Sequence, residues 1–146
     1  MTTPPTDIQT GIEPRQQTLR KSVRIDGIGL MLGQPVSVEI KPAAPETGIV
    51  FERVDLDPPV RIPATVDRVV SRARRTTLKS GEATVETIEH CMSALSGLGI
   101  DNAVVELTGP ELPCGDGSSN LFVDPILEAG IEQQDLPRRV FKLIEP

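Results

Sequence analysis

Glu89 and His90 stand side by side in the run Ala83-Thr-Val-Glu-Thr-Ile-Glu-His-Cys-Met-Ser-Ala-Leu95, and His90 is the only histidine of the chain. A neutral imidazole is a metal ligand and a neighbouring carboxylate is a base, the equipment of metal-assisted hydrolysis. Ile88, Cys91, Leu95 and Leu98 recur at helical spacing, which predicts a helix of roughly three turns with Thr87 as its N-cap and Gly97 and Gly99 as its stop. On that helix Glu89 and His90 fall about 130° from the centre of the apolar stripe, on opposite flanks, so neither belongs to the core. The partial positive charge of a helix N-terminus suits a carboxylate at Glu89 and an uncharged imidazole at His90. The bland alternative is a glutamate that only complements the helix dipole beside a solvent-facing histidine, since an isolated Glu-His pair is a weak motif.

The elements that must carry this pair alternate between two periodicities. Thr18–Ile25 reads as a first strand, Gly27-Ile-Gly-Leu30 as a turn or bulge, and Val36–Ile40 as a half-exposed second strand. Gly48–Glu52 and Ile62–Val66 flank a Pro58-Pro59 turn. Thr76–Leu78 and Ala83–Val85 flank Ser80-Gly81 as a hairpin leading into the helix. Asn102–Leu107 returns as a strand, and Pro110–Ser119 is a turn-rich connection to a second helix running to about Ala129. Pro125 either kinks that helix, which Ser118 or Ser119 would cap, or occupies its first position behind an Asp124 cap. Arg139–Ile144 reads as a last strand. The fold expected is α+β, a two-layer sandwich of a mixed sheet with two helices on one face.

Composition narrows the function. The chain has 146 residues, 38% of them hydrophobic, enough for one domain with a real core. A net charge of −6 and the absence of Trp and Tyr argue against a general nucleic-acid binder, which needs surplus Lys and Arg or stacking aromatics. The cluster Arg68, Arg72, Arg74, Arg75 is either a solvated surface or a site for an anion such as a diphosphate. Cys91 and Cys114 form no metal-type pair. Residues 1–17, rich in Thr, Pro and Gln, read as a disordered leader without a signal-peptide core, and no stretch approaches a membrane span; a cytoplasmic location is expected.

Taken in order, Thr18-Leu19, Gly27-Ile-Gly-Leu30, Thr47-Gly-Ile49, Thr77-Leu78, Thr87-Ile-Glu-His90, Gly97-Leu-Gly-Ile-Asp-Asn102, Gly109-Pro-Glu-Leu-Pro113 and Asp116-Gly-Ser118 resemble the first half of the UDP-3-O-acyl-N-acetylglucosamine deacetylases. The resemblance extends over nearly everything from Gln16 to Pro146, and several motifs in order are far more specific than the Glu-His pair alone. It implies a zinc amidase that removes the acetyl group of a UDP-linked acylated glucosamine in lipid A synthesis. It implies His90 as the first zinc ligand, Glu89 as the glutamate that deprotonates the metal's water, and Thr77 and Leu78 as a segment near the substrate. It also implies one half of a two-domain architecture, each half a sheet carrying two helices, with the site between facing helix layers.

The family draws its remaining zinc ligands from a His-x-x-x-Asp motif in the second half, together with a further histidine as general acid, and the 146 residues hold neither. Met31 stands where the family commonly has histidine, and Cys114-Gly115 replaces an apolar pair. The domain expected is therefore 18–136, with 137–146 resembling the start of a second half. Zinc is expected to be held weakly or not at all by the isolated chain. Two readings stay open: a half-enzyme completed by a second-half polypeptide, or a non-catalytic ligand- or protein-binding module. A homodimer through the helix layer would cover the face that the second half normally meets.

Overall fold

A computed structural model describes residues 14–140 and Ile144. The largest sheet has five strands in the order β2 (Val23–Ile28), β3 (Pro35–Pro42), β9 (Ala103–Leu107), β4 (Ile49–Arg53), β5 (Val60–Pro63). All its pairings are antiparallel except β4 with β9, so the sheet is mixed. Period two decides which face is buried: Val36, Val38 and Ile40 of β3 and Ala103, Val105 and Leu107 of β9 point inward, while Ser37, Glu39, Lys41, Val104 and Glu106 alternate outward. In register, Ile40, Val105 and Phe51 of β4 form one buried row across three strands. The outer face carries ion pairs, Lys41 with Glu106 at 2.7 Å and Arg61 with Glu52 at 3.1 Å.

Helices α1 (Glu89–Gly97) and α2 (Asn120–Ala129) close the core, with Cys91, Ala94 and Leu95 from the first and Phe122, Ile126 and Ala129 from the second buried. They touch each other, and α2 lies on β2. The fold is thus α+β, as the periodicities predict. The stop of α1 follows the sequence: Gly99 at φ 70 donates to the Ser96 carbonyl at 3.1 Å and Ile100 to the Leu95 carbonyl at 2.9 Å, a Schellman motif. Its start does not. Ile88 is the N-cap residue, no side chain caps the helix, and the Thr87 hydroxyl is committed elsewhere. In α2, Pro125 lies inside the helix, and Asp124 is not its cap.

A smaller sheet pairs β6 (Val69–Val70), β7 (Thr77–Ser80) and β8 (Ala83–Glu86), the last two forming the expected hairpin around Gly81 at φ 58. Between β5 and β6 a short 3-10 helix, Val66–Arg68, takes the place of the end expected for the Ile62–Val66 strand.

The strands near the two ends of the described fold also differ from the sequence reading. The stretch Thr18–Ile25 is divided by a bend into β1 (Arg15–Leu19) and β2, so the end of the segment read as leader belongs to the fold; residues 1–13 lie outside the described residues. Strand β10 (Ile131–Pro137) pairs antiparallel with β1, Arg15 opposite Pro137 and Leu19 opposite Ile131, and the Arg138 amide donates to the Pro14 carbonyl at 2.6 Å. Of the last strand expected at 139–144, Arg139 and Val140 are not extended ladder residues, Ile144 lies in a bend, and residues 141–143 lie outside the described residues. A buried amide network ties the β1–β10 ribbon to the main sheet. The Asn102 side chain donates to Gln16 at 2.8 Å and Gln134 at 2.7 Å, and accepts from the Gly48 amide at 2.8 Å.

Candidate functional site

The Glu89–His90 pair leaves the end of β8, and the geometry of that exit is unusual. Glu86 forms a parallel bridge with Glu111, its amide donating to the Pro110 carbonyl at 2.7 Å and its carbonyl accepting from Leu112 at 3.1 Å. The next residue, Thr87, sits at φ 57. A β-branched residue in the left-handed region is strained, and such strain persists only where the surroundings over-determine it. Here they do: the Thr87 amide donates to the Thr76 carbonyl at 3.0 Å and its hydroxyl donates to Glu111 Oε1 at 2.9 Å. The chain then drives Ile88 into the core and opens α1 with Glu89 exposed and His90 half-buried.

Glu89 accepts the Thr76 amide proton through Oε1, which fixes its carboxylate against the residue that leads into β7. His90 has its Nδ1 buried with no hydrogen-bond partner in the protein. A buried polar atom without a partner calls for one, such as a cation or a water. The carboxyl of Asp116 sits below the usual carboxylate range chiefly because the Ser118 hydroxyl and amide donate to it, with His90 a smaller contributor. Cys91, on the next position of the helix, is fully buried, and burial pushes its thiol up to about 12, so at neutral pH it offers neither thiolate ligand nor nucleophile.

Thr77 and Leu78 are both buried. Leu78 belongs to the core, its side chain 1% exposed beneath the β6–β7–β8 sheet, whereas the Thr77 hydroxyl is buried without a partner. The arginine cluster is divided: Arg75 forms a 2.6 Å ion pair with Glu86, Arg68 pairs with Asp67 at 3.3 Å, and Arg72 and Arg74 are exposed.

Glu111 is the residue that sequence reasoning passed over. It is 3% exposed and accepts from the amides of Met31 and Leu32 at 2.9 and 2.8 Å as well as from Thr87. Burial alone would raise its carboxyl, but these three donors, with Arg75 nearby, hold it below the usual range. Its place between Pro110 and Pro113 was visible as a motif, but the partners were not. The same packing gives Gly27 and Gly29 their role: a Cβ on Gly27 would lie 2.6 Å from Pro113 Cβ, and one on Gly29 would lie 2.8 Å from Glu111 Cδ. These glycines allow close approach, where the sequence reading expected a turn or bulge.

Among the described residues, no three His, Cys, Asp or Glu side chains gather as a metal-binding group. His90 fits one ligand position, and the residues described do not complete a site.

The family model of UDP-3-O-acyl N-acetylglycosamine deacetylase matches residues 16–146. A UDP-3-O-acyl-N-acetylglucosamine deacetylase of Pseudomonas entomophila (strain L48) is 47% identical over 130 residues, 89% of this chain and 43% of that protein. The protein of the same name from Thioalkalivibrio sulfidiphilus (strain HL-EbGR7) is 46% identical over 129 residues, 88% of this chain and 42% of that protein. The chain spans less than half the length of these curated relatives. With a match that runs through the strained turn, the Glu-His pair and both glycine-dependent contacts, the chain belongs to the UDP-3-O-acyl N-acetylglycosamine deacetylase family.

Proposed function

We propose that this chain carries the base and one metal ligand of a zinc-dependent deacetylase acting on UDP-3-O-acyl-N-acetylglucosamine in lipid A biosynthesis, and that a second-half polypeptide completes the site. The observation that carries this reading is the strained Thr87, pinned by two hydrogen bonds directly ahead of Glu89 and His90. Strain of this kind is maintained where it serves a site. Zinc, when bound, acidifies water and polarises an amide carbonyl. Glu89, with one oxygen held by the Thr76 amide, keeps its other oxygen for a proton taken from the attacking water. His90, with an unpartnered buried Nδ1, is the ligand. Thr77 and Leu78 shape the wall behind the substrate segment from within, the hydroxyl of Thr77 being the group with hydrogen-bonding capacity to spare. A cytoplasmic location is part of this reading. Among the described residues no helix is long and apolar enough to cross a membrane.

The test is reconstitution. The 146-residue chain alone should hold substoichiometric zinc and no deacetylase activity, because one imidazole cannot make a site of about three ligands. Adding a polypeptide bearing the His-x-x-x-Asp motif should give both. In that system Glu89→Ala should lose on the order of 10²–10⁴ in rate with zinc retained, and His90→Ala should lose metal and rate together. Equal rates for Glu89→Ala and the parent would refute the role of Glu89. Met31, 39% exposed in the loop beside the site where the family commonly has histidine, favours the second reading, a binding module. Substrate binding without turnover in the zinc-loaded, complemented protein would select it.

A further inference from the structure

We propose that Glu111 is a positioning residue for the Glu89–His90 pair, acting through Thr87 and Thr76. The inference rests on reading that pair as the site, but its evidence is separate. Four residues form an unbroken chain of contacts. Glu111 accepts the Thr87 hydroxyl at 2.9 Å, the Thr87 amide donates to the Thr76 carbonyl at 3.0 Å, and the Thr76 amide donates to the Glu89 carboxylate. Nothing in the local sequence makes a threonine adopt φ 57; glycine would do so freely, and threonine needs an external hold. The buried carboxylate supplies it, and the same two oxygens anchor the amides of Met31 and Leu32. Glu111 thereby joins two loops distant in sequence, 30–32 and 87, at one charged group. A carboxylate suits this task because it offers acceptors to three donors at once, which no neutral side chain of its size can do.

The competing explanation is that Glu111 only fastens the 30–32 loop. Amide hydrogen exchange of the metal-free 146-residue chain separates the two, independently of whether deacetylation occurs. Glu111→Gln preserves shape but has one acceptor oxygen and turns an amide toward donors; Thr87→Val preserves shape but lacks the hydroxyl; Thr87→Ser keeps it. Glu111→Gln and Thr87→Val should each speed exchange of the Thr76 amide by about tenfold or more, the cost of one lost hydrogen bond in local opening. Exchange at Val105 in central strand β9 should not change. The double variant should be no faster than the single ones, since both break one chain of contacts, and Thr87→Ser should match the parent. Unchanged exchange at Thr76, with Met31 and Leu32 accelerated in Glu111→Gln, would overturn the proposal in favour of the loop-fastening role. Equal acceleration at Thr76 and Val105 would overturn it in favour of a general loss of stability. A Thr76 response in a complemented protein that never deacetylates would retain the positioning role and discard the enzymatic one.

Discussion

Gly29 shows how tightly the surroundings of Glu111 are specified. The space a Cβ would fill is occupied by the Glu111 carboxylate, with Cδ 2.8 Å away, and that group is buried and cannot swing into solvent as a surface side chain would. Gly29→Ala should therefore displace the carboxylate from the Met31 and Leu32 amides and cost about 1–3 kcal/mol, the penalty of buried donors left unpaired. Gly33, at φ 64 with open space around it, provides the contrast. Gly33→Ala should cost only the left-handed penalty of about 1 kcal/mol. Urea denaturation of the two variants measures the difference, and a Gly29→Ala midpoint at or above that of Gly33→Ala would show that the carboxylate relocates without loss.

At the scale of elements, the β1–β10 ribbon depends on amide chemistry more than on apolar burial. Strand β10 packs only Ile131 against the core and is otherwise mostly exposed, while its Gln134 reaches both Asn102 and the Ala43 carbonyl. Asn102→Ala would leave the Gly48 amide and the Gln134 Oε1 without their partner and take one of two donors from the Gln16 Oε1, which keeps the Glu46 amide. It should lower stability by about 2–3 kcal/mol with loosened ribbon amides, as seen by denaturation and hydrogen exchange; a change below about 0.5 kcal/mol, typical of surface substitutions, would show that water replaces the network. This dependence explains what was legible beforehand. Strands β3, β4, β8 and β9 and helix α1 bury alternate or stripe positions, so hydrophobic period reveals them. Ile-Glu-Gln-Gln-Asp-Leu-Pro has no period to read, because its partners lie far away in sequence. Glu89 and His90 were legible as a pair, since adjacency is a sequence property. The sequence offers Thr87 as an N-cap and gives Glu111 no distinction, because a φ angle and a contact between residues 87 and 111 depend on tertiary packing.

Across the whole molecule, a subset of carboxylates is held below ordinary values by partners. Glu111 is held by three donors against the opposing effect of burial, and Asp55 by the Arg53 guanidinium, itself buried and donating also to the Thr84 carbonyl. Asp26, Glu46, Asp67 and Asp116 are lowered too, but their exposure leaves them screened by solvent. A carboxyl whose folded value is depressed stabilises the fold fully above its ordinary value, here 3.8 for Asp55 and 4.5 for Glu111, and that contribution disappears as pH falls through the folded value. Thermal midpoints should stay level from about pH 7 to 5 and drop below about pH 4.5, with a shallower drop in Glu111→Gln. An equally steep acid limb in that variant would remove Glu111 from the account. The pairing of β1 with β10 bears on another property of the molecule. Because Arg15 faces Pro137 and the Arg138 amide meets Pro14, the two ends of the described fold emerge side by side. A tensile load applied through those ends would open the ribbon from its tip, breaking its hydrogen bonds one after another like a zip. Resistance to pulling is thus low along the axis where a tether would attach, while the five-stranded sheet behind it stays out of the line of force.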